Sequence, residues 1–172
     1  MSPVDRRPAS ARLDEVDRLV AAWTRERPDL DTEPMQVWSR ISRLAQLLDA
    51  ARARAYSAQE LQVWEFDVLA ALRRAGEPYR MTPGQLVAQT HVTSGTMTNR
   101  VVRLAGRGLV NRLANPADGR GALVELTSEG RARVDAAVAD LVRSEAGLVA
   151  ALPPPERERL AAMLRRLLLA QE

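Results

Sequence analysis

The chain has 172 residues, 46% hydrophobic and 27% charged, with a formal net charge of +3. That is the balance of one globular domain, not of a disordered segment. Without cysteine and with His91 as its one histidine, the chain excludes disulfides, thiolate chemistry and sulfur-ligated metals, and no catalytic residue, metal or cofactor is expected.

Helical spacing of Leu13, Val16, Val20 and Trp23 predicts a first helix closed by Pro28. Pro34 opens a longer one with Val37, Ile41, Leu44 and Leu48 on one face. A third runs from about Gln59 to Arg74 and ends at Gly76-Glu77-Pro78. Thr82 and Pro83 suit the cap and first position of a short helix. The next starts at Thr93 or Ser94 and stops before Gly108. Residues 109–126 then change to a Leu-Val run, the turn-forming Asn115-Pro116-Ala117-Asp118-Gly119, and the alternation Ala122, Val124, Leu126, which predicts a hairpin. Thr127 caps a long helix reaching about Ala151, and after Pro153-Pro154-Pro155 a last helix runs to about Leu169. No run nears the roughly 20 apolar residues of a membrane span. The start, with Pro3, Asp5, Arg6 and Arg7, lacks an apolar signal core, so a cytoplasmic protein without a membrane partner is expected.

Charge is distributed unevenly. All 25 basic residues are arginine, and residues 80–124 hold six of them (Arg80, Arg100, Arg103, Arg107, Arg112 and Arg120) against the single acid Asp118. Short helix, turn, helix and hairpin with positive charge gathered on them form a winged helix-turn-helix pattern. Leu86, Ala88, Val92, Met97, Val101 and Leu104 are expected to face inward, with small Ala88 allowing close helix approach. Thr93, Ser94, Thr96, Asn99, Arg100 and Arg103 lie on the other side, suited to phosphate and base-edge contacts on double-stranded DNA. Arg120 sits at the hairpin tip, placed for phosphate or a minor groove. The competing reading is a packed helical pair with a solvated basic face.

These residues resemble the MarR-type transcriptional regulators. The segments that carry the likeness are TPGQLVAQT, VTSGTMTNRVVRLAGRGLV and NRLANPADGRGALVELTSEG, the last like that family's wing, with an Asp-x-Arg tip and a closing Leu-Thr-x-x-Gly. Family members often carry a second arginine where this chain has Gly119, which implies a weaker wing contact. The resemblance covers nearly all of residues 35–170. It implies a mainly α chain: N-terminal helices over residues 10–57, a winged helix-turn-helix over 58–126 and C-terminal dimerisation helices over 127–172. It also implies an obligate homodimer that represses transcription from a pseudo-palindromic operator.

The helix expected from Gln59 to Arg74 reads as apolar almost all round, with Leu61, Val63, Trp64, Phe66, Val68, Leu69 and Leu72. Asp67 falls in its middle with no cation one turn away, so a buried carboxylate is expected to pair with a distant arginine, Arg112 being the first candidate, or to sit in a polar cavity, unless it escapes to water at the helix edge. One branch of the family, the urate-responsive and PecS-like regulators with relatives answering trans-aconitate, carries an extra N-terminal helix with a tryptophan. It also carries an aspartate before the reading head and arginines in the recognition helix and first wing strand. Trp23, Asp67, Arg100 and Arg112 fill those four positions. The resemblance implies that a small anionic ligand meets tryptophan and arginine, repels the aspartate and moves the recognition helix. His91 is expected in a surface or phosphate-touching role, not as a metal ligand, and Trp38 and Trp64 in the core. Two other classes remain open on the residues alone: a small helical enzyme holding an anionic substrate with arginines, and a protein-binding regulator without DNA contact.

Overall fold

A computed structural model describes residues 12–115 and 121–172. The chain divides into two units, the first ending at Asp49 and the second spanning Ala50–Glu172. In the first unit, α1 (Glu15–Glu26) begins at Asp14, whose carboxylate accepts from the backbone of Val16 and Asp17 while Asp17 reaches back to Asp14. This reciprocal cap satisfies amide groups that the first turn leaves unpaired. Helix α2 (Glu33–Ser57) starts in this unit and continues into the second. Arg40 joins the two helices by donating to Asp14 and Asp17 at 2.8 Å each, and Val16 and Val20 are the buried residues of α1.

The second unit follows the expected order, with α3 (Val63–Arg74), α4 (Pro83–Thr90), α5 (Ser94–Gly106), a hairpin of β2 (Val110–Ala114) and β3 (Ala122–Leu126), α6 (Ser128–Leu148) and α7 (Pro154–Leu169). It is mainly α, with a small antiparallel sheet in which the short strand β1 (Arg80–Met81) joins the hairpin in the order β1-β3-β2. The strand β1 is an addition, paired with β3 through Arg80 opposite Glu125 and Met81 opposite Val124. The hairpin register runs from Val110 opposite Leu126 to Ala114 opposite Ala122. Its tip, with Asp118, Gly119 and Arg120, lies outside the described residues.

The core of this unit gathers Val68, Leu69 and Leu72 of α3, Leu86 of α4, Met97, Val101 and Leu104 of α5, Val110, Val124 and Leu126 of the hairpin, and Val134 and Ala137 of α6. Two expectations about it are corrected. Ala88 is exposed, and the neighbouring Val87 packs against the core instead. Helix α3 starts four residues later than expected: Glu60 takes a positive φ of 53°, and Gln62 caps the helix with Glu65 reaching back to its amide. Helix α7 has no buried residue.

Candidate nucleic-acid interface

The inner helix of the pair, α4, is set by Thr82, whose hydroxyl accepts from the amide of Gln85 at 3.2 Å while the Gln85 side chain accepts from Thr82 N at 2.8 Å. It stops at His91, an exposed residue in the left-handed region (φ 52°) whose amide closes the last turn on Val87 O. Helix α5 starts at Thr93, which accepts from Thr96 N at 3.3 Å, and the two hydroxyls lie 2.9 Å apart. Met97, Val101 and Leu104 anchor α5 in the core. Thr93, Ser94, Thr96, Asn99 and Arg103 are exposed and Arg100 is half-buried. Unpaired backbone N–H groups at the α5 N-terminus give that end a partial positive charge suited to phosphate.

The arginines of residues 80–124 separate by what they touch. Arg80 is neutralised by Glu125 at 2.7 Å. Arg107, which caps α5, is neutralised by Glu65 at 2.6 Å and also donates to Glu60 O. Arg100, Arg103 and Arg112 make no hydrogen bond or ion pair among the described residues. Arg112 lies exposed on β2, opposite Val124. The guanidinium groups of Arg100 and Arg103 stack on the ring of Trp64, at 5.6 and 4.8 Å from its centroid. Trp64 is therefore half-buried between core and arginines, not wholly core, and Trp38 in the first unit is 55% exposed.

The buried acid of α3 is Glu65 and not Asp67. Glu65 is 2% exposed, whereas Asp67 is exposed and lies on a solvent stripe with Val63 and Arg74. Asp67 forms no ion pair with Arg112. Desolvation holds its pKa above the ordinary aspartate value of 3.8, opposed by the charges of Arg100, Arg74 and Arg52. It lines a hollow of about 240 Å³ with Arg74, Gln89 and His91. Asp67 and Arg100 thus feel each other's charge, while Trp23 stands in the first unit, 46% exposed on α1. Sequence reasoning had no role for Glu65, although its position three residues after Gln62 is the capping-box spacing. The described residues contain no cluster of acidic or histidine side chains able to hold a metal. No helix among them is long and apolar enough to cross a membrane.

A threonine-capped helix whose Arg100 and Arg103 make no ion pair among the described residues, packed on a shorter helix and followed by an antiparallel hairpin, defines a winged helix-turn-helix protein. The MarR family model matches residues 59–121. The transcriptional regulator PecS of Dickeya dadantii is 38% identical over 91% of this chain and 94% of its own. A MarR mutant from E. coli complexed with operator DNA superposes with a TM-score of 0.65 at 28% identity, over 79% of this chain and 96% of that one. BpsR of Bordetella bronchiseptica, whose DNA binding is regulated by 6-hydroxynicotinic acid, superposes with a TM-score of 0.62 at 29% identity, over 76% and 91%. The chain belongs to the MarR family and is a helix-turn-helix transcriptional regulator, not an enzyme. The arginine-lined enzyme is set aside accordingly.

Proposed function

We propose that this regulator is a homodimeric repressor that reads a pseudo-palindromic operator and releases it on binding a small anion. In this reading residues 58–126 form the reading head, and residues 10–57 and 127–172 form the dimer and the ligand side. Thr93, Ser94, Thr96, Asn99, Arg100 and Arg103 contact the duplex, with Arg120 at the wing. The observation that carries DNA reading is the sorting of charge: Arg80 and Arg107 are spent on Glu125 and Glu65, while Arg100, Arg103 and Arg112 make no hydrogen bond or ion pair among the described residues. Guanidinium groups in that state suit bidentate contacts to guanine edges and phosphates.

An anionic effector is supported by Asp67, which has Arg100, Arg74 and Arg52 around it without forming an ion pair with any of them. A small anion would find more positive than negative charge there, and in repelling Asp67 would act on the helix that bears Arg100. Trp23 and Arg112 complete the ligand set. Urate, trans-aconitate and 6-hydroxynicotinic acid, the regulator of BpsR, are all small anions of the required class.

DNA binding is tested on a duplex that the wild-type protein selects from a random pool, at graded salt. Arg103→Ala is expected to cost about 1–3 kcal/mol and to relax preference at one base position. Arg120→Ala is expected to weaken all sequences alike and to flatten the salt slope by about one unit. Unchanged binding of both variants would put the reading head on the wrong face.

A further inference from the structure

We propose that Trp64 is a positioning residue for DNA reading: its indole face holds the Arg100 and Arg103 side chains in the pose in which α5 presents them. The inference rests on the assignment of α5 as the reading helix and goes beyond it, because Trp64 lies on α3 and has no place among the DNA contacts.

The ring is fixed before any arginine meets it. The side chain packs, partly buried, against the core of the second unit. Its Nε1–H donates to Gln62 Oε1 at 2.5 Å, and Gln62 is the residue that caps α3. The next residue, Glu65, is buried and tied to Arg107 at the end of α5. The first turn of α3 is thereby clamped to the helix whose arginines it supports. Arg100 and Arg103 are three residues apart on α5, so both reach the same flank and share one ring. With Thr96 and Asn99 they line an open hollow of about 290 Å³ beside the indole.

Stacking restrains a guanidinium without using its donors. A guanidinium held over a π face is attracted through its charge, and its N–H donors are not consumed as they are by a carboxylate, so they stay available to an incoming phosphate or base edge. An arginine in water samples many rotamers, and ordering it costs free energy at the moment of binding. A ring that orders two arginines beforehand removes part of that cost. A carboxylate in the same place would hold them as firmly but occupy the donors and cancel the charge, as Glu65 and Glu125 do for Arg107 and Arg80.

The test compares Trp64→Phe, Trp64→Leu, Arg100→Ala/Arg103→Ala and the triple variant on the selected duplex, with thermal melts to verify folding. Leucine keeps the apolar packing but removes the π face. Trp64→Leu is expected to weaken binding about tenfold and Trp64→Phe about threefold. In the Arg100→Ala/Arg103→Ala background the leucine substitution should add nothing. A tenfold loss that persists in that background overturns the proposal, and so does a leucine variant that binds as well as wild type or more tightly. If the arginine variant itself binds like wild type, the assignment of α5 fails together with the proposal, with the distinct signature that the arginines are silent. A second measurement needs no change at Trp64. In a Trp23→Phe/Trp38→Phe protein the remaining indole reports directly, and saturating DNA is expected to halve its quenching by acrylamide. Quenching unaltered by DNA overturns the proposal.

Discussion

Three guanidinium groups act on Asp67, and alone they would draw its pKa below that of a free aspartate. Partial desolvation of the carboxyl, which stands exposed but within a hollow, outweighs them, and the pKa stands above 3.8. A raised value in the folded state means that folding favours the protonated acid. Stability is therefore highest below the unfolded pKa, declines as pH rises through the folded value, and stays reduced at neutral pH. Asp67→Asn is expected to raise the melting temperature at pH 7, with the gain disappearing below about pH 4. A lower melting temperature at pH 7 would mean that an ion pair with Arg100 or Arg74 outweighs desolvation. The same variant tests the switch. With urate or trans-aconitate as titrant, it should still bind the anion that dissociates the wild-type complex but should release labelled DNA much less completely. Release at the wild-type concentration and to the wild-type extent would remove charge repulsion as the mechanism. The acid that is buried, Glu65, was concealed in the sequence because Val63 counts as apolar in any tally, yet stands 55% exposed on the same stripe as Asp67. Composition around a helix cannot show which side is covered until the neighbouring helices are placed.

At the scale of elements, the joint between the hairpin and α6 is tightly held. Thr127 accepts from Gly130 N at 2.9 Å and donates to Gly108 O at 2.8 Å, while its amide donates to Leu109 O at 3.2 Å. This brings the first turn of α6 so close to the chain entering β2 that a Cβ on Gly130 would lie 2.1 Å from Leu109 O and 3.0 Å from a methyl of Leu126. The Leu-Thr-x-x-Gly run is thus a packing requirement, the glycine being needed for close approach and not for its φ. Gly130→Ala is expected to cost about 3 kcal/mol, visible as a lower midpoint in urea. A variant as stable as wild type would show that β2 can yield at Leu109. Elements marked by local chemistry were legible from sequence: Thr82, Thr93 and Thr127 cap the helices that their side chains predict. The strand β1 was not legible, because two residues show no alternation and exist as a strand only through β3. The start of α3 was blurred because buried Leu61 fits a helical period while Glu60 at positive φ interrupts it. Ala88 and Val87 exchanged roles for a related reason: a one-residue rotation on a two-turn helix is decided by what packs against it. Arg100 and Arg103 were visible as charge, but their contact with Trp64 was not, since nothing in the spacing joins Trp64 to residues 36 and 39 positions later.

For the whole molecule, the unspent surface is apolar. Helix α7 buries none of its residues, and Met163, Leu164, Leu167, Leu168 and Leu169 are all at least 38% exposed. Val138 and Val142 of α6 are exposed too, as are Leu19, Val37, Trp38, Leu44 and Leu47 of the first unit. A water-facing helix with that composition gains nothing from its leucines, and a run of this kind marks a surface that another chain covers. A second copy is the simplest cover, since a two-fold axis lets one apolar patch serve both partners and gives two reading heads for a palindrome. Leu164 and Leu168 are four residues apart and so share one face of α7. Changing both to glutamate puts four carboxylates into a two-fold interface and is expected to raise the dimer dissociation constant at least about a hundredfold. Sedimentation at micromolar concentration should give a dimer for the wild-type chain and a lighter or mixed species for the variant, whose operator binding should fall with its dimer fraction. A wild-type chain that sediments as a folded monomer at that concentration, or a variant that stays fully dimeric, would place the interface elsewhere and leave the leucines of α7 without a cover.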